Sequence, residues 1–373
     1  MIKDLHTTWN IQSHNIHGEE FTGYEPVYDQ LDQLDKPAFN KDPEGTINKV
    51  FDIYRSINLV PILYFTEKGL INAIKEFKSI SYNSVKDSRI SLGNNRGQPL
   101  SRFLFPNMMT AEPKGRGSNS LKDRFYNDTK LKRAIRICYE MREGHKLVYP
   151  TALRRALELV TGENVQNFKP QNARALVEHL CPVLWGNVYD YSAGYGGRLL
   201  GVGCSNMNYN YTGIDPNTET VKYLNYFNNL LEEAVGVKGN IIQDVSEEYQ
   251  PTDVDLAFSS PPYFNLEKYS DEDTQCMVRY STLDEWFNRY AEPTIRNIYK
   301  SLNQDGLFAT NIADYKTYGK KEYKVVDDWI QISKRIGFKH VSTVKMMLNT
   351  RPGVGNQKLA GREKWEGVYV FAK

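Results

Sequence analysis

The chain has 373 residues, of which 40% are hydrophobic and 25% are charged, and its formal net charge is +2. These values predict a globular, soluble protein with one large domain or two of ordinary size. The sequence contains no run of about 18 apolar residues that could cross a bilayer, and its first residues lack the apolar core of a signal peptide, so we expect no membrane partner.

The four cysteines lie far apart in the chain and match no metal-binding spacing; they are Cys138, Cys181, Cys204 and Cys276. The histidines near the N-terminus do not form a convincing ligand set either. We therefore expect no metal. Unpaired, scattered cysteines are typical of a reducing compartment, which predicts a cytoplasmic location.

The N-terminal region begins with residues 1–45, which are polar and without a sustained period and which we interpret as a loosely ordered arm. Residues 46–77 show apolar side chains at three- and four-residue spacing, interrupted at Pro61, and predict two helices. Residues 83–117 are rich in Ser, Asn, Gly and Arg and predict an exposed loop, which includes Arg116.

A basic segment follows in residues 101–160, whose Lys, Arg, Asp and Glu residues sum to a charge of about +7. Within it, residues 130–142 predict a helix with an apolar face, so that Arg133 and Arg136 lie among the charges of its other face. Such a face can simply be solvated. Because it neighbours an Arg- and Gly-rich loop and several aromatic residues, we favour a nucleic-acid contact involving Arg116, Arg133 and Arg136.

Lys169 and Pro170 open another predicted helix. Proline is favourable at the first helical position because its missing N–H has no partner within the helix. The free amides at such a helix start can hold a carboxylate.

A short predicted strand then runs into a glycine-rich turn and a helix, over residues 188–201. The turn contains Asp190, Ser192, Gly194 and Gly196. Glycines let a backbone approach a bound molecule closely and adopt positive φ. The pattern is neither Gly-x-Gly-x-x-Gly nor a P-loop, so it favours neither a dinucleotide fold nor a phosphate-binding loop of that type.

Two further predicted strands each end in an acidic residue, at Asp215 and at Asp244. Asp215 follows Asp190 by about 25 residues, near the spacing at which an acid meets ribose hydroxyls in nucleotide-binding folds. An acid at a strand end is often only a helix cap. Because Asp244 is the third such acid in succession, we interpret it as part of a binding site.

The fourth predicted strand, Val254 to Ser259, stops at Ser260, Pro261, Pro262 and Tyr263. The prolines cannot continue a ladder of hydrogen bonds, and they hold the preceding residue extended. A side-chain oxygen and a carbonyl are thereby presented at the carboxyl end of a strand, where open α/β sheets bind ligands. Two such acceptors can hold the N–H bonds of an exocyclic amine on a nucleobase and localise the lone pair of its nitrogen. The Tyr263 ring can stack on the same nucleobase.

The remaining chain predicts a helix from Thr282 to Leu302, a strand, a second helix and a terminal hairpin. The loop that joins the two hairpin strands, residues 349–365, is long and basic. It contains Arg351, Lys358 and Arg362, which we interpret as contacts to DNA; a plain flexible loop is the alternative.

Together these motifs resemble the S-adenosylmethionine-dependent DNA amino-methyltransferases, whose catalytic motif is Ser-Pro-Pro-Tyr. The resemblance covers the chain from about Phe168 to its end and implies a Rossmann-like α/β fold with a seven-stranded, mostly parallel sheet. It implies that Ser260 and Pro261 hold the target amine, with Pro262 and Tyr263 completing the motif.

The resemblance also implies a site for S-adenosylmethionine. Lys169 and Pro170 would cradle its methionine end, Asp190 would hold its ammonium directly or through water, and Asp215 would bind the ribose. Asp244 would accept a hydrogen bond from adenine. The remaining members implied for this site are Ser192, Gly194, Gly196 and Ser260. The chain departs from the family in having Tyr191-Ser192 where Pro-Phe is common, and in leaving no room for an inserted recognition domain.

We therefore expect a mainly helical, DNA-recognising region in residues 1–165 and a catalytic domain in residues 166–373. The predicted function is DNA methylation at cytosine N4 or adenine N6 of a base flipped out of double-stranded DNA. A serine before the two prolines slightly favours cytosine N4 over adenine N6 as the methylated atom. An RNA methyltransferase and a non-catalytic DNA-binding protein remain alternatives. A cognate restriction nuclease would be a natural partner in a restriction-modification pair, and the sequence carries no signal for an oligomeric state.

Overall fold

The computed structural model describes residues 20–21, 27–61, 64–65, 67–91, 95–113, 119–162, 164–317, 321–348 and 364–373. The predicted DNA contacts at Arg116, Arg351, Lys358 and Arg362 lie outside these residues. The chain divides into two compact units, one formed by Met1–Leu70 with Pro106–Val165 and the other by Ile71–Phe105 with Gln166–Lys373. The boundary predicted at residue 165 is therefore incomplete, because residues 71–105 belong with the C-terminal unit.

The first unit is built mainly from helices, apart from a two-residue strand pair. Its elements are β1 (Glu20–Phe21), α1 (Tyr28–Asp32), α2 (Lys36–Lys41), α3 (Pro43–Ile57), β2 (Tyr64–Phe65), α6 (Leu121–Tyr126), α7 (Asp128–Met141) and α8 (Pro150–Thr161), with a 3₁₀ turn at Pro106–Met109. One buried apolar cluster holds α3, α6, α7 and α8 together and includes Val50, Phe125, Ile135 and Leu153. This cluster gives the unit a core of its own.

The second unit contains one large sheet and the helices around it. Its strands are β3 (Arg89–Ile90), β4 (Asn187–Asp190), β5 (Asn210–Asp215), β6 (Asn240–Gln243), β7 (Val254–Ser259), β8 (Leu302–Asn311), β9 (Tyr315–Lys316), β10 (Glu322–Tyr323), β11 (Lys339–Met347) and β12 (Trp365–Ala372). Its helices are α4 (Glu67–Ser79, which starts in the first unit), α5 (Gln98–Leu104), α9 (Pro170–Leu180), α10 (Gly197–Gly203), α11 (Thr218–Val235), α12 (Cys276–Arg279), α13 (Leu283–Trp286), α14 (Glu292–Ser301) and α15 (Val326–Ile336).

The large sheet has eight strands in the order β3-β11-β12-β8-β7-β4-β5-β6. Strands β4 to β8 pair in parallel, and β12 lies antiparallel between β8 and β11. The predicted α/β fold with a mostly parallel sheet is confirmed, but the predicted strand number of seven is wrong. The eighth strand is β3, a two-residue strand that pairs in parallel with β11 from a segment predicted to be a loop.

The chain reverses its direction across the sheet at β4 and β7. From β4 it proceeds through β5 to the edge strand β6, and it then returns to β7 on the other side of β4. Parallel crossovers are almost always right-handed, so this reversal places α10 and α11 on one face and α14 on the opposite face. On the face of α14, Trp286, Ile295 and Trp329 pack in one buried cluster with the strand residues Ala257 and Phe308.

Local signals explain where the helices beside the sheet begin and end. The α11 helix begins after Asn217, whose side-chain oxygen accepts the Thr220 backbone N–H at 2.8 Å, and it ends at Gly236, where φ is +73°. The helix predicted from Thr282 to Leu302 contains a π-helical turn at Phe287–Ala291 before Pro293. This turn accommodates the proline within the helix. Among the helices of the described residues, none combines the length and apolar character required to cross a bilayer.

Candidate active site

The candidate site lies where the direction of the sheet reverses. Strands β4 and β7 pair directly, through Val188 with Leu256 and Tyr189 with Ala257. Ligands of open α/β sheets bind beyond the carboxyl ends of the strands at this kind of switch point. Asp190 ends β4 and Ser260 follows β7, so the first acid of the glycine-rich turn and the first residue of the Ser-Pro-Pro-Tyr motif flank this point.

Asp190 is fully buried, and its carboxylate accepts hydrogen bonds from four donors. Arg198 Nε and the Tyr211 hydroxyl donate to Oδ2 at 2.8 and 2.7 Å. The Ser259 hydroxyl and the Ser192 backbone N–H donate to Oδ1 at 2.6 and 3.3 Å. Four donors satisfy the lone pairs of a carboxylate. The expected contact between Asp190 and a ligand ammonium therefore needs correction: this carboxylate holds the backbone beneath the turn.

The glycine-rich turn is shaped by two residues with positive φ, Gly194 at +55° and Gly196 at +69°. The Gly194 backbone N–H donates to Asp215 Oδ2 at 2.9 Å, which ties the turn to the end of β5. A Cβ atom at Gly196 would lie 2.8 Å from the Phe227 ring, so a larger residue does not fit. The turn therefore forms a close-fitting backbone cradle between the ends of β4 and β5.

Asp215 is the acid at the end of β5 and is 9% exposed. Its carboxylate accepts the Gly194 N–H and, at 3.0 Å on Oδ1, the Asn217 backbone N–H. Burial raises the pKa of this carboxyl to about 6, although both N–H groups act in the opposite direction. In contrast to Asp190, Asp215 has no salt-bridge partner in the described residues, and its oxygens retain lone pairs for further donors.

Asp244 follows β6 on the same edge of the sheet, because Gln243 pairs in register with Asp215. Its side chain is exposed, and its Oδ1 accepts the Val245 backbone N–H at 2.8 Å. The structure thus places Asp190, Asp215 and Asp244 along one edge, as the strand-end pattern predicts, and leaves Asp244 the most accessible.

The start of α9 lies next to the turn. Asn167 Nδ2 donates to the Tyr195 backbone carbonyl at 3.0 Å, which connects the residues before Lys169 to the turn itself. Pro170 occupies the first position of α9, and burial lowers the pKa of Lys169. Ser192, the other predicted member of the turn, donates its hydroxyl to the Tyr191 carbonyl at 2.7 Å.

Ser260 is held by the last residue of β8, and Tyr263 is held by the segment that follows this strand. The Ser260 hydroxyl donates to the Asn311 backbone carbonyl at 3.0 Å. Because a carbonyl can only accept, the hydroxyl hydrogen is committed there and the oxygen keeps its lone pairs for a donor. The Ala313 backbone N–H donates to the Tyr263 hydroxyl oxygen at 3.0 Å, and the ring meets Tyr315 edge to face at 4.9 Å.

The two prolines between these residues keep the segment extended. Pro261 is buried and Pro262 is partly exposed. Neither can donate a backbone hydrogen bond, so the backbone of these two residues carries only acceptors, next to the Ser260 hydroxyl oxygen.

The predicted nucleic-acid contacts that the structure describes lie in the first unit. Arg133 and Arg136 both belong to α7, and Arg133 is exposed. Arg136 forms a salt bridge with Glu44. Within the described residues no group of three His, Cys, Asp or Glu side chains has the arrangement of a metal site.

Sequence reasoning missed the residues that support Asp190, namely Arg198, Tyr211 and Ser259. Arg198 is 5% exposed, and its guanidinium also donates to the Ser192 carbonyl. An arginine within the otherwise apolar start of α10 is a signal that was available for it. Tyr211 and Ser259 lie on strands and carry no comparable signal, because only the pairing of those strands brings them to Asp190.

Comparisons with known proteins find likenesses only in structure. No family model and no curated protein matches the chain. A TehB-like S-adenosylmethionine-dependent methyltransferase from Corynebacterium glutamicum covers 60% of this chain and 96% of its own, at 16% identity and a TM-score of 0.34. Magnesium protoporphyrin IX methyltransferase from Synechocystis covers 55% of this chain and 79% of its own, at 13% identity and a TM-score of 0.35. A SAM-dependent O-methyltransferase from Thermotoga maritima covers 58% of this chain and 69% of its own, at 15% identity and a TM-score of 0.35. Scores this low say nothing about the activity of the chain.

Proposed function

We propose that this protein transfers a methyl group from S-adenosylmethionine to the exocyclic amine of a DNA base, cytosine N4 or adenine N6. The observation that carries the proposal is the hydrogen bond from the Ser260 hydroxyl to the Asn311 carbonyl. It turns the serine oxygen into a fixed acceptor beside the Pro261 carbonyl, at the switch point of the sheet.

The cofactor site would be formed by the glycine-rich turn and the acids at the ends of β5 and β6. Gly194 and Gly196 give the turn its positive φ angles, and Gly196 lets it pack closely against Phe227. Asp215, which holds the Gly194 N–H, would accept hydrogen bonds from ribose hydroxyls. Asp244 would accept one from the adenine amine, and Lys169 with Pro170 would lie at the methionine end. When bound, the cofactor supplies an electrophilic methyl group on a sulfonium.

Ser260 and Pro261 would activate the target amine. The lone pair of an exocyclic amine is delocalised into the base, so the nitrogen is a poor nucleophile. Two acceptors that each take one N–H favour a tetrahedral nitrogen with a localised lone pair. Because Tyr263 is fixed at its hydroxyl by Ala313, its ring can stack on the base without losing side-chain freedom on binding.

A nucleic acid as substrate is supported by the basic segment in residues 101–160, of which all from Pro106 onward belong to the first unit. This segment carries a charge of about +7 in a chain whose net charge is +2. Exposed residues of this segment include Arg133 on α7. A base within a duplex would have to leave the stack to reach acceptors at the edge of the sheet.

The test is transfer of labelled methyl from S-adenosylmethionine to unmodified duplex DNA, followed by mass spectrometry of the nucleosides. We expect N4-methylcytosine or N6-methyladenine, and a rate lower by about 10²-fold in Ser260→Ala, since one preorganised hydrogen bond is lost. Ser56→Ala is the matched control, because its exposed hydroxyl also donates to a backbone carbonyl, that of Ile53 at 2.8 Å.

Two outcomes would contradict the proposal in different ways. Label in transcripts but not in DNA would reassign the substrate to RNA. Cofactor binding without transfer to either nucleic acid, or no cofactor binding at all, would remove the proposed activity.

A further inference from the structure

The short strands β9 and β10 bring two tyrosines together in the second unit. The strands pair antiparallel, with Tyr315 directly opposite Tyr323. Their rings stack, with centroids 5.1 Å apart and planes inclined by 11°, and both side chains are buried. Cross-strand aromatic pairs of this kind stabilise the pairing of two strands and hold both rings in place. We call these two residues the tyrosine pair.

The tyrosine pair packs against the end of the Ser-Pro-Pro-Tyr motif. The Tyr315 ring meets the Tyr263 ring at a centroid distance of 4.9 Å, with the planes inclined by 69°. The Tyr323 ring meets the ring of the next residue, Phe264, at 6.0 Å and 62°. Unlike the tyrosine pair, Tyr263 is only partly buried. The tyrosine pair therefore supports Tyr263 while part of this residue stays accessible to a ligand.

Asn265 connects the two members of the tyrosine pair to each other. It lies two residues after Tyr263, and none of the roles above uses it. The Tyr315 hydroxyl donates to its Oδ1 at 3.0 Å, and its Nδ2 donates to the Tyr323 hydroxyl at 2.7 Å. A buried tyrosine hydroxyl needs such a partner. One side-chain amide thus binds both hydroxyls and fixes the tyrosine pair relative to the segment that carries Tyr263.

The Tyr263 side chain is consequently held at two places. Its hydroxyl oxygen accepts the Ala313 backbone N–H at 3.0 Å. Its ring packs against Tyr315, whose own hydroxyl is bound by Asn265. Because a tyrosine side chain has only two rotatable bonds, contacts at the hydroxyl and at the ring define its orientation. Without the Asn265 amide, the Tyr315 ring can shift, and the Tyr263 ring loses one of its two supports.

The orientation of the Tyr263 ring matters to the proposed reaction because it sets the plane in which a stacked base lies. The target nitrogen must meet the Ser260 oxygen and the Pro261 carbonyl at the same time. A displacement of about 1 Å can lower the rate of a reaction by about 10²-fold. A base that rests on a mobile ring would spend less time in position for methyl transfer.

We infer that Asn265 is a positioning residue, which fixes the Tyr263 ring through Tyr315 and thereby sets the plane of the base that is methylated. It acts through the tyrosine pair and not by contact with the base. Strands β9 and β10 thus serve as a support for the target base. The inference rests on the proposed function.

Steady-state methylation of unmodified duplex DNA compares Asn265→Ala with Asn303→Ala. The Asn303 amide also makes two hydrogen bonds, to Asp253 and Asp255 at 2.9 and 2.7 Å, but at the opposite end of β7. We expect Asn265→Ala to lower kcat by about tenfold, with KM for DNA and Kd for S-adenosylhomocysteine unchanged. Tyr315→Phe, which keeps the ring and loses the hydroxyl, should also lower kcat. Asn303→Ala should match the wild type.

A double-mutant cycle separates positioning from general destabilisation. If Asn265 acts through Tyr263, Asn265→Ala should cost little further kcat once Tyr263→Ala has removed the ring. Equal losses of kcat with and without the Tyr263 ring would show that Asn265 acts elsewhere. Full kcat in both Asn265→Ala and Tyr315→Phe would overturn the inference as well.

A measurement on the ring itself distinguishes failure of this inference from failure of the proposed function. In protein labelled with 3-fluorotyrosine, the fluorine NMR line of Tyr263 is assigned by its loss in Tyr263→Phe. We expect Asn265→Ala to shift or broaden this line and Asn303→Ala to leave it unchanged. An unchanged line in Asn265→Ala overturns the inference, whether or not the protein methylates DNA. If the line changes but the wild-type protein transfers no methyl group, the proposed function fails, and Asn265 still orients the ring.

Discussion

Asp190 and Asp215 end adjacent parallel strands, yet their surroundings give them different tasks. Asp190 is neutralised by the buried Arg198 and has no lone pair left for a ligand. Among the described residues, two backbone N–H groups donate to Asp215, and burial raises its pKa to about 6 despite them. A strand-end acid is therefore assigned a role by its donors and not by its position alone.

The raised pKa of Asp215 predicts a pH-dependent cofactor affinity. Below pH 6 the carboxyl must first lose a proton to accept two ribose hydroxyls, so the Kd for S-adenosylhomocysteine should increase up to about tenfold per pH unit as the pH falls. Above pH 6 the Kd should be constant. Calorimetric titrations between pH 5 and 8 measure it. Asp215→Asn should bind weakly with no slope, whereas Asp244→Asn should bind weakly and keep the slope.

The Asp190–Arg198 pair predicts a large effect on stability. Arg198→Met keeps the bulk of the side chain but leaves Asp190 as an uncompensated buried charge, which costs about 3–5 kcal/mol of unfolding free energy. Urea unfolding of the full chain followed by circular dichroism measures this loss. Arg335→Met is the control, because its salt bridge with Glu292 at 2.7 Å is exposed and contributes less than about 1 kcal/mol. Equal losses in both variants would contradict the assignment.

At the scale of elements, the site depends on a turn that only glycine can form. The turn connects β4 to α10, and Gly196 immediately precedes that helix with φ at +69°. A side chain there suffers both backbone strain and a collision with Phe227 on α11. The glycine therefore sets how closely α10 and α11 pack behind the cradle.

Gly196→Ala can be compared with Gly236→Ala to separate these two effects. Gly236 has a similar φ of +73°, but a Cβ atom there meets nothing within 4 Å. We expect Gly236→Ala to cost only the strain of about 1–2 kcal/mol and to leave cofactor binding intact. Gly196→Ala should cost more and lose cofactor binding. Thermal unfolding measures the stability of both variants, and calorimetry measures their cofactor binding. Intact binding in Gly196→Ala would contradict the proposal that the glycine-rich turn holds the cofactor.

At the scale of the whole molecule, the second unit is completed by a segment from far earlier in the chain. Residues 71–105 contribute β3 at the edge of the large sheet and end at Phe105, which is fully buried. The Phe105 ring packs edge to face against Tyr195, Tyr223 and Phe227, with centroids 5.8, 6.0 and 6.3 Å apart. The segment thus supports the glycine-rich turn from behind.

Phe105→Ala should therefore destabilise the second unit and its binding site together. Removal of a fully buried phenylalanine ring costs about 3–5 kcal/mol, and Tyr195 would lose its support. Trp185→Ala is the control in the same unit, since that ring is 76% exposed and its loss should cost about 0.5 kcal/mol or less. Unfolding followed by tryptophan fluorescence and S-adenosylhomocysteine titration measure both effects. A site that binds normally in Phe105→Ala would show that the turn needs no such support.

The order of the motifs in the chain was sufficient to predict the α/β fold and to place the acids and the Ser-Pro-Pro-Tyr motif at strand ends. Such features depend on local hydrophobic period, on glycine and on proline, which act over a few residues. Residues 83–117, predicted as an exposed loop, instead contribute an edge strand, α5 and the buried Phe105, because their burial depends on partners about 90 residues or more away.

Tertiary structure alone decided the chemistry of the individual side chains. Arg198 reaches Asp190 across one turn, but Tyr211 and Ser259 reach it from β5 and β7. The Asn311 carbonyl at the end of β8 accepts the Ser260 hydroxyl. The sequence by itself determined which residues stand at the edge of the sheet. The packing of distant strands determined which carboxylates are neutralised and which oxygens remain acceptors, because hydrogen bonding and desolvation depend on neighbours in space.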